Sequence, residues 1–141
     1  MKRRELREHT FKLVFSALEN NVFPEENFDY YFLDNEILEK DAGYIKTAVM
    51  GIVSNLNVID KAILDNTKGY TFDRISKVCL AVMRVAIYEI FYIPDVPGNV
   101  SISEAVFIAE KYENEKSKFF VNGILGTVIR ALEKEKEEEK I

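Results

Sequence analysis

RISKVCLAVMRVAIYEIFYI, residues 74–93, is apolar on almost every side of a helical wheel. Ile75, Val78, Cys79, Leu80, Val82, Met83, Val85, Ala86, Ile87, Ile90 and Phe91 leave no wide polar face. A helix of that kind is buried on most sides, so this stretch predicts the central post of the fold. Its longest apolar run, Val78 to Met83, ends at Arg84, far short of the ~18 residues a membrane span needs. Pro94-Asp95-Val96-Pro97-Gly98 stops the helix in a tight loop.

Downstream, Ser101-Ile102-Ser103-Glu104 has the pattern of a capping box, which predicts a helix start there. The apolar stripe of that helix is Ile102, Ala105, Val106, Ala109 and Tyr112. Asn114 is placed to cap a last helix over 115–135, with Val121, Ile124, Leu125, Val128 and Leu132 inward. The mixed charges from Glu133 to Ile141 read as a frayed, solvated end. Upstream, Thr71 and Asp73 are N-cap candidates for the post. Ile45, Ala48, Val49, Ile52, Leu56, Ile59 and Ile63 hold one face of a third helix, with a break expected near Asn55-Asn57, and Lys68-Gly69 closes this half. A second helix is expected over 24–39, opened by Pro24 and carrying Phe28, Tyr31, Phe32 and Leu38. The first spans 3–20 on Leu6, Phe11, Leu13, Val14, Phe15, Ala17 and Leu18, and Asn20-Asn21 ends it. No strand alternation or repeat appears. The chain reads as one all-α domain, with an N-terminal helical half over about 1–69, a C-terminal half over about 70–135 and a charged tail at 136–141.

Composition narrows the function. With 141 residues, 48% hydrophobic and 30% charged, the chain is an ordinary globular domain rather than a disordered one. One cysteine excludes a disulfide framework or a multi-cysteine zinc site, and one histidine excludes a His pair for metal. Cys79 lies in the most apolar helix, where a thiol acts as a small hydrophobe. His9 has no Ser or Cys motif around it, and the six glycines are scattered rather than gathered in a phosphate loop. Gly123 and Gly126 sit inside a helix pattern, where each costs ~1 kcal/mol against Ala; close helix approach is the expected reason, and a ligand approaching the backbone is the alternative. No catalytic constellation, cofactor or metal site emerges. The N-terminus lacks the apolar core of a secretory signal, so a cytoplasmic, non-membrane location is the default expectation.

The net charge of −5 is unevenly spread: +3 over residues 1–18, −7 over 19–73 and −1 over 74–141. Local fields rather than totals guide a polyanion, because screening acts over ~8 Å. The positive end carries Lys2, Arg3, Arg4 and Arg7, and the competing reading is a solvated helix terminus. Arg84 inside the apolar helix must pair, with Glu104 a candidate, or open onto a binding surface. In Lys116-Ser117-Lys118-Phe119-Phe120, the helical wheel sets Phe120 on the flank and Phe119 nearly away from the core. Exposed aromatics beside cations suit stacking on unpaired bases; burial by a neighbouring helix or second subunit is the alternative.

These segments, in order and spacing, resemble the NusB family of bacterial transcription antitermination factors over nearly the whole chain. Arg3-Arg4-x-x-Arg7-Glu8 followed by Leu13-Val14-Phe15 is similar to its arginine-rich first helix, and Ile59-Asp60 matches near the end of the third. Met83-Arg84-Val85-Ala86-Ile87-Tyr88-Glu89-Ile90 resembles its core-helix signature; Pro97, Val100, Ile102 and Glu104-Ala105 follow. Phe120-Val121-Asn122-Gly123-Ile124-Leu125 resembles its most specific motif. Cys79-Leu80 departs where an acidic–basic pair is common, and Phe119 stands where Lys is frequent.

The resemblance implies a compact NusB-like bundle of about seven helices in two packed subdomains, without enzyme activity. It implies binding of boxA, a short single-stranded RNA in ribosomal RNA leaders, together with a small-subunit ribosomal protein, NusE. It further implies an indirect effect on the RNA polymerase elongation complex, and some members form homodimers. Residue chemistry and resemblance then converge on Lys2, Arg3, Arg4 and Arg7 as phosphate contacts and on Phe15, Phe120 and Phe119 as stacking partners. Arg84, Lys116, Lys118 and Asn122 are further candidates at the same surface. The expectation is a single groove shared by the arginine end and Phe120. The rival from another class is a homodimeric helical adaptor with no specific RNA binding.

Overall fold

The computed structural model describes residues 1–19, 24–69 and 71–140. In chain order these form α1 (Arg3–Glu19), α2 (Pro24–Asp34), α3 (Glu39–Ser54), α4 (Leu56–Asp65), a 3₁₀ turn (Phe72–Arg74), α5 (Lys77–Tyr92), α6 (Gly98–Tyr112) and α7 (Glu115–Glu139). No strand occurs among the described residues. The expected Asn20-Asn21 stop lies outside them.

The uniformly apolar stretch is the post of the bundle. Helix α5 packs against α1, α3, α4, α6 and α7, and every residue from Cys79 to Ile87 is buried. Its start differs from expectation. Neither Thr71 nor Asp73 caps it; both sit around the 3₁₀ turn, and Ser76 accepts the Cys79 backbone N–H at 3.0 Å. Close approach of α3 to α5 depends on Gly51, where a Cβ would lie 2.5 Å from the Tyr88 ring.

The second helix is shorter than its apolar pattern suggests. After Asp34, Glu36 adopts φ 53°, and the Ile37 N–H reaches back to the Phe32 carbonyl at 2.9 Å. That is a left-handed helix stop in which Glu replaces the usual Gly. Leu38, expected on the buried stripe, instead precedes α3 and is 75% exposed. The break in the third helix falls at Asn55, whose side-chain amide donates to the Gly51 carbonyl at 2.8 Å, and α4 departs at 67°. Gly69, at φ 93°, closes this half after Lys68 at φ 46°. No single helix among the described residues is long and apolar enough to cross a membrane. The bent α3–α4 pair would be apolar enough by composition, but Ile45, Val49, Ile52, Ile59 and Ile63 are buried in the core.

The capping-box expectation at Ser101 fails. Helix α6 begins earlier, at Gly98 after Pro97, so Ser101 stands in its first turn and donates to Glu89 of α5 at 3.0 Å, while Glu104 pairs with Arg4. Asn114 does cap α7, accepting the Ser117 N–H at 2.9 Å. Rather than fraying after 135, α7 runs on to Glu139, exposed over its last turns. Close helix approach is not the reason for glycine at 123: a Cβ there would meet nothing within 4 Å, and at Gly126 the nearest atom is Arg130 of the same helix at 3.3 Å.

Candidate nucleic-acid interface

Long side chains bridge α1 and α6 along a seam. Arg4 donates from Nε and Nη2 to the Glu104 carboxylate at 2.9 and 3.2 Å, and its guanidinium lies over the Phe107 ring, 4.1 Å from the centroid. One turn further, Glu8 accepts from Lys111 Nζ at 2.8 Å and from the Tyr112 hydroxyl at 2.7 Å. Burial pushes the Glu8 carboxyl up, but these two donors outweigh it and hold its pKa below the ordinary glutamate range. Lys12 then sits 5.6 Å from the centre of the Tyr112 ring.

Beyond Lys12 the seam opens into a recess lined by Phe11, Lys12, Phe15, Ser16, Val78 and Tyr112. A second recess has Arg74, Ile75, Ser76, Cys79, Asn114, Lys116, Ser117 and Phe120 in its walls. Val78 and Cys79 are consecutive on α5, and Tyr112 and Asn114 flank the α6–α7 corner, so each recess takes part of its wall from the start of α5 and from that corner. Phe15 stands in the first recess and Phe120 in the second, each partly buried against the core. Phe119 is 65% exposed, with Lys118 5.3 Å from its ring centre and paired to Glu110 at 2.7 Å. Asn122 is exposed on the same helix.

The arginine end and Phe120 do not share one pocket. Arg4 precedes Phe15 by eleven residues, about 16 Å of helix rise, and Arg3 faces Tyr44, donating to its hydroxyl at 2.6 Å. Arg4 with Phe107, Lys12 and Lys111 with Tyr112, and then Phe15 form a strip along α1 and α6; Phe120 and Lys116 stand in the recess at the start of α7. Lys2 is exposed at the beginning of α1.

Two expected surface cations belong elsewhere. Arg7 is buried and forms a two-pronged ion pair with Glu89, at 2.8 and 3.1 Å, because its position on α1 faces α5. Arg84 is buried on the opposite side of α5, bound in the same way to Asp60 of α4 at 2.8 and 3.0 Å. Its partner is Asp60 rather than Glu104. Both guanidiniums are buried and held by carboxylates of a neighbouring helix, so neither stands on the surface where it was expected.

The NusB family model matches residues 4–130. The chain belongs to the NusB family. A transcription antitermination protein NusB from Clostridium acetobutylicum is 38% identical over 133 residues, covering 94% of this chain and 98% of its own. The NusB structure from T. maritima superposes with a TM-score of 0.83 at 32% identity, covering 92% of each chain. A structure of antitermination factors NusB and NusE in complex with double-stranded RNA gives 0.82 at 23% identity, covering 93% of this chain and 99% of that one. The NusB family is one of antitermination factors, not of enzymes, and Cys79 fits that: burial raises its thiol pKa, away from the reactive thiolate. His9, whose pKa burial lowers, is engaged with the Tyr31 hydroxyl at 2.7 Å.

Several strip residues of this NusB-family chain escaped the sequence reading. Phe107 lies off the apolar stripe of its helix, a signal that was there to find. Lys111 and Arg74 carried no local pattern, and Tyr112 was legible only as the end of an apolar stripe, because their relevance comes from tertiary contacts with side chains of other helices.

Proposed function

We propose that this protein binds single-stranded boxA-type RNA of ribosomal RNA leaders through the α1–α6–α7 strip, acts there together with the ribosomal protein NusE, and so promotes processive ribosomal RNA transcription. The observation that carries the reading is the strip itself: cations and partly exposed aromatic rings alternate along α1 and α6, and recur at the start of α7, in an otherwise acidic molecule. Lys2, Arg3, Arg4, Lys12 and Lys116 supply phosphate contacts, which give affinity and its salt dependence. Phe15, Phe120 and Phe119 supply stacking planes, each worth ~1–3 kcal/mol per base. Lys118 and Asn122 lie beside them and add polar contacts.

Family membership supports the assignment to antitermination, and a neighbour of the same fold was solved with NusE and double-stranded RNA. The net charge of −5 keeps the protein's own affinity for a polyanion modest. A partner that adds RNA-binding surface raises the effective concentration of the second contact. The test is a gel shift with a boxA-like RNA, with and without NusE, against a scrambled RNA. The expected result is selective retardation strengthened by NusE; equal binding of both RNAs removes the sequence-specific role. Phe120→Ala is expected to weaken boxA binding about tenfold or more with little loss of thermal stability. A large drop in stability with unchanged RNA binding would make Phe120 a core residue.

A further inference from the structure

The corner between α6 and α7 is held by a single carboxylate oxygen. Glu113 Oε2 accepts from Ser117 Oγ at 2.6 Å, from Ser76 Oγ at 2.8 Å and from Cys79 Sγ at 3.3 Å. These three donors come from two helices. Ser76 caps α5 and already accepts the Cys79 backbone N–H, so its hydroxyl proton is free to point at Glu113. Ser117 is buried in the first turn of α7, where its hydroxyl also lies 3.1 Å from Asn114 Oδ1. Glu113 itself ends α6. The start of α5, the end of α6 and the start of α7 are thus joined at one atom.

Lys116 and Phe120 flank Ser117 on α7, and both line the recess that contains Ser76 and Cys79. A rotation of the first turn of α7 would move both relative to Phe15. We propose that Glu113 is a positioning residue of the RNA site: by gathering Ser76, Cys79 and Ser117 on its carboxylate it fixes how α7 presents Lys116 and Phe120. This rests on the RNA-binding reading above. Burial pushes the Glu113 carboxyl up in pKa, but the hydroxyl and thiol donors outweigh it and keep the group in the acceptor form that the corner needs.

Simple charge makes the opposite forecast. A carboxylate beside a polyanion site repels phosphate, so on electrostatics alone its removal strengthens binding. Fluorescence anisotropy with a labelled boxA-like single strand separates the two, using the full chain as wild type, Glu113→Ala, Glu113→Gln, Ser117→Ala, Phe120→Ala and the Glu113→Ala/Phe120→Ala pair, each checked for folding by circular dichroism. Positioning predicts that Glu113→Ala weakens binding about three- to tenfold, the worth of the lost hydrogen bonds. Glu113→Gln, whose amide oxygen still accepts, stays within about twofold of wild type. Ser117→Ala, which removes a donor and no charge, shows a loss in the same direction. In the Phe120→Ala background the Glu113→Ala loss is smaller, since of the two side chains it orients only Lys116 is left. Tighter binding by both Glu113 variants overturns the proposal in favour of plain repulsion. An undiminished loss in the Phe120→Ala background, or no loss at all while Phe120→Ala alone weakens binding, overturns it too. If the wild type does not prefer the boxA-like strand, or Phe120→Ala is without effect, the RNA reading itself fails and the Glu113 role falls with it.

Discussion

Arg7 and Glu89 meet in the interior between α1 and α5, with Ser101 Oγ donating to the same carboxylate at 3.0 Å. Every polar group of the trio is paired, and no buried side-chain nitrogen or oxygen lacks a partner among the described residues. Removing either Arg7 or Glu89 leaves an uncompensated buried charge. Arg7→Ala should therefore cost about 3–5 kcal/mol in a denaturant titration. Its effect on the salt dependence of RNA binding, measured on folded protein, should be negligible; a flattened salt slope would return Arg7 to the interface. Arg3→Ala with Arg4→Ala is the contrasting pair, with stability nearly unchanged and the slope reduced. Glu8 adds a pH signature. Its folded pKa is depressed, so its contribution to stability is complete above about pH 5 and is lost as pH falls through the folded value. Glu8→Gln should shrink that acid-side loss in a series of melts between pH 3 and 6, whereas an unchanged pH profile would show that the Lys111–Tyr112 contact carries no linkage.

Helices are where reading from sequence worked and where it stopped. The all-round apolarity of residues 74–93 announced a buried post, and the 3.6-residue stripes located α3, α4 and α7, because burial of a face is written locally. Partner choice is not. Arg7 and Arg84 look alike in sequence to surface or core cations, and only the packing of α1 and α4 on α5 decides that both meet carboxylates. Ser101 failed for a related reason: a capping-box pattern competes with an earlier start at Pro97, and Glu89 from another helix claims the hydroxyl. Along α7, Gly123 is exposed and a Cβ there meets nothing within 4 Å, so packing within the protein gives no reason for a glycine. Gly123→Ala should stabilise the fold by about 1 kcal/mol through helix propensity. A destabilising result in chemical denaturation would contradict that reading of α7.

At the scale of the whole molecule, charge and shape divide the surface. The acidic excess lies in the segment of the chain that contains α2, α3 and α4, while α1 gathers positive charge along a strip that also presents Phe15, Tyr112, Phe119 and Phe120. The cations of that strip are not idle in the free protein: Arg4 is held by Glu104, Lys111 by Glu8 and Lys118 by Glu110. In the proposed complex RNA would exchange these pairs for phosphate contacts, which lowers the net gain from each. Sequence alone pointed to Arg4 and Phe120, but placed them in one groove; the middle, Lys12 with Lys111 and Tyr112, comes from tertiary packing. The most direct test of the account is amide chemical-shift mapping during titration with a boxA-like single strand. Shifts concentrated at Arg4, Lys12, Phe15, Tyr112, Lys116 and Phe120 are the expected result. Shifts centred on α2 to α4, or none beyond those produced by a scrambled strand, would contradict it.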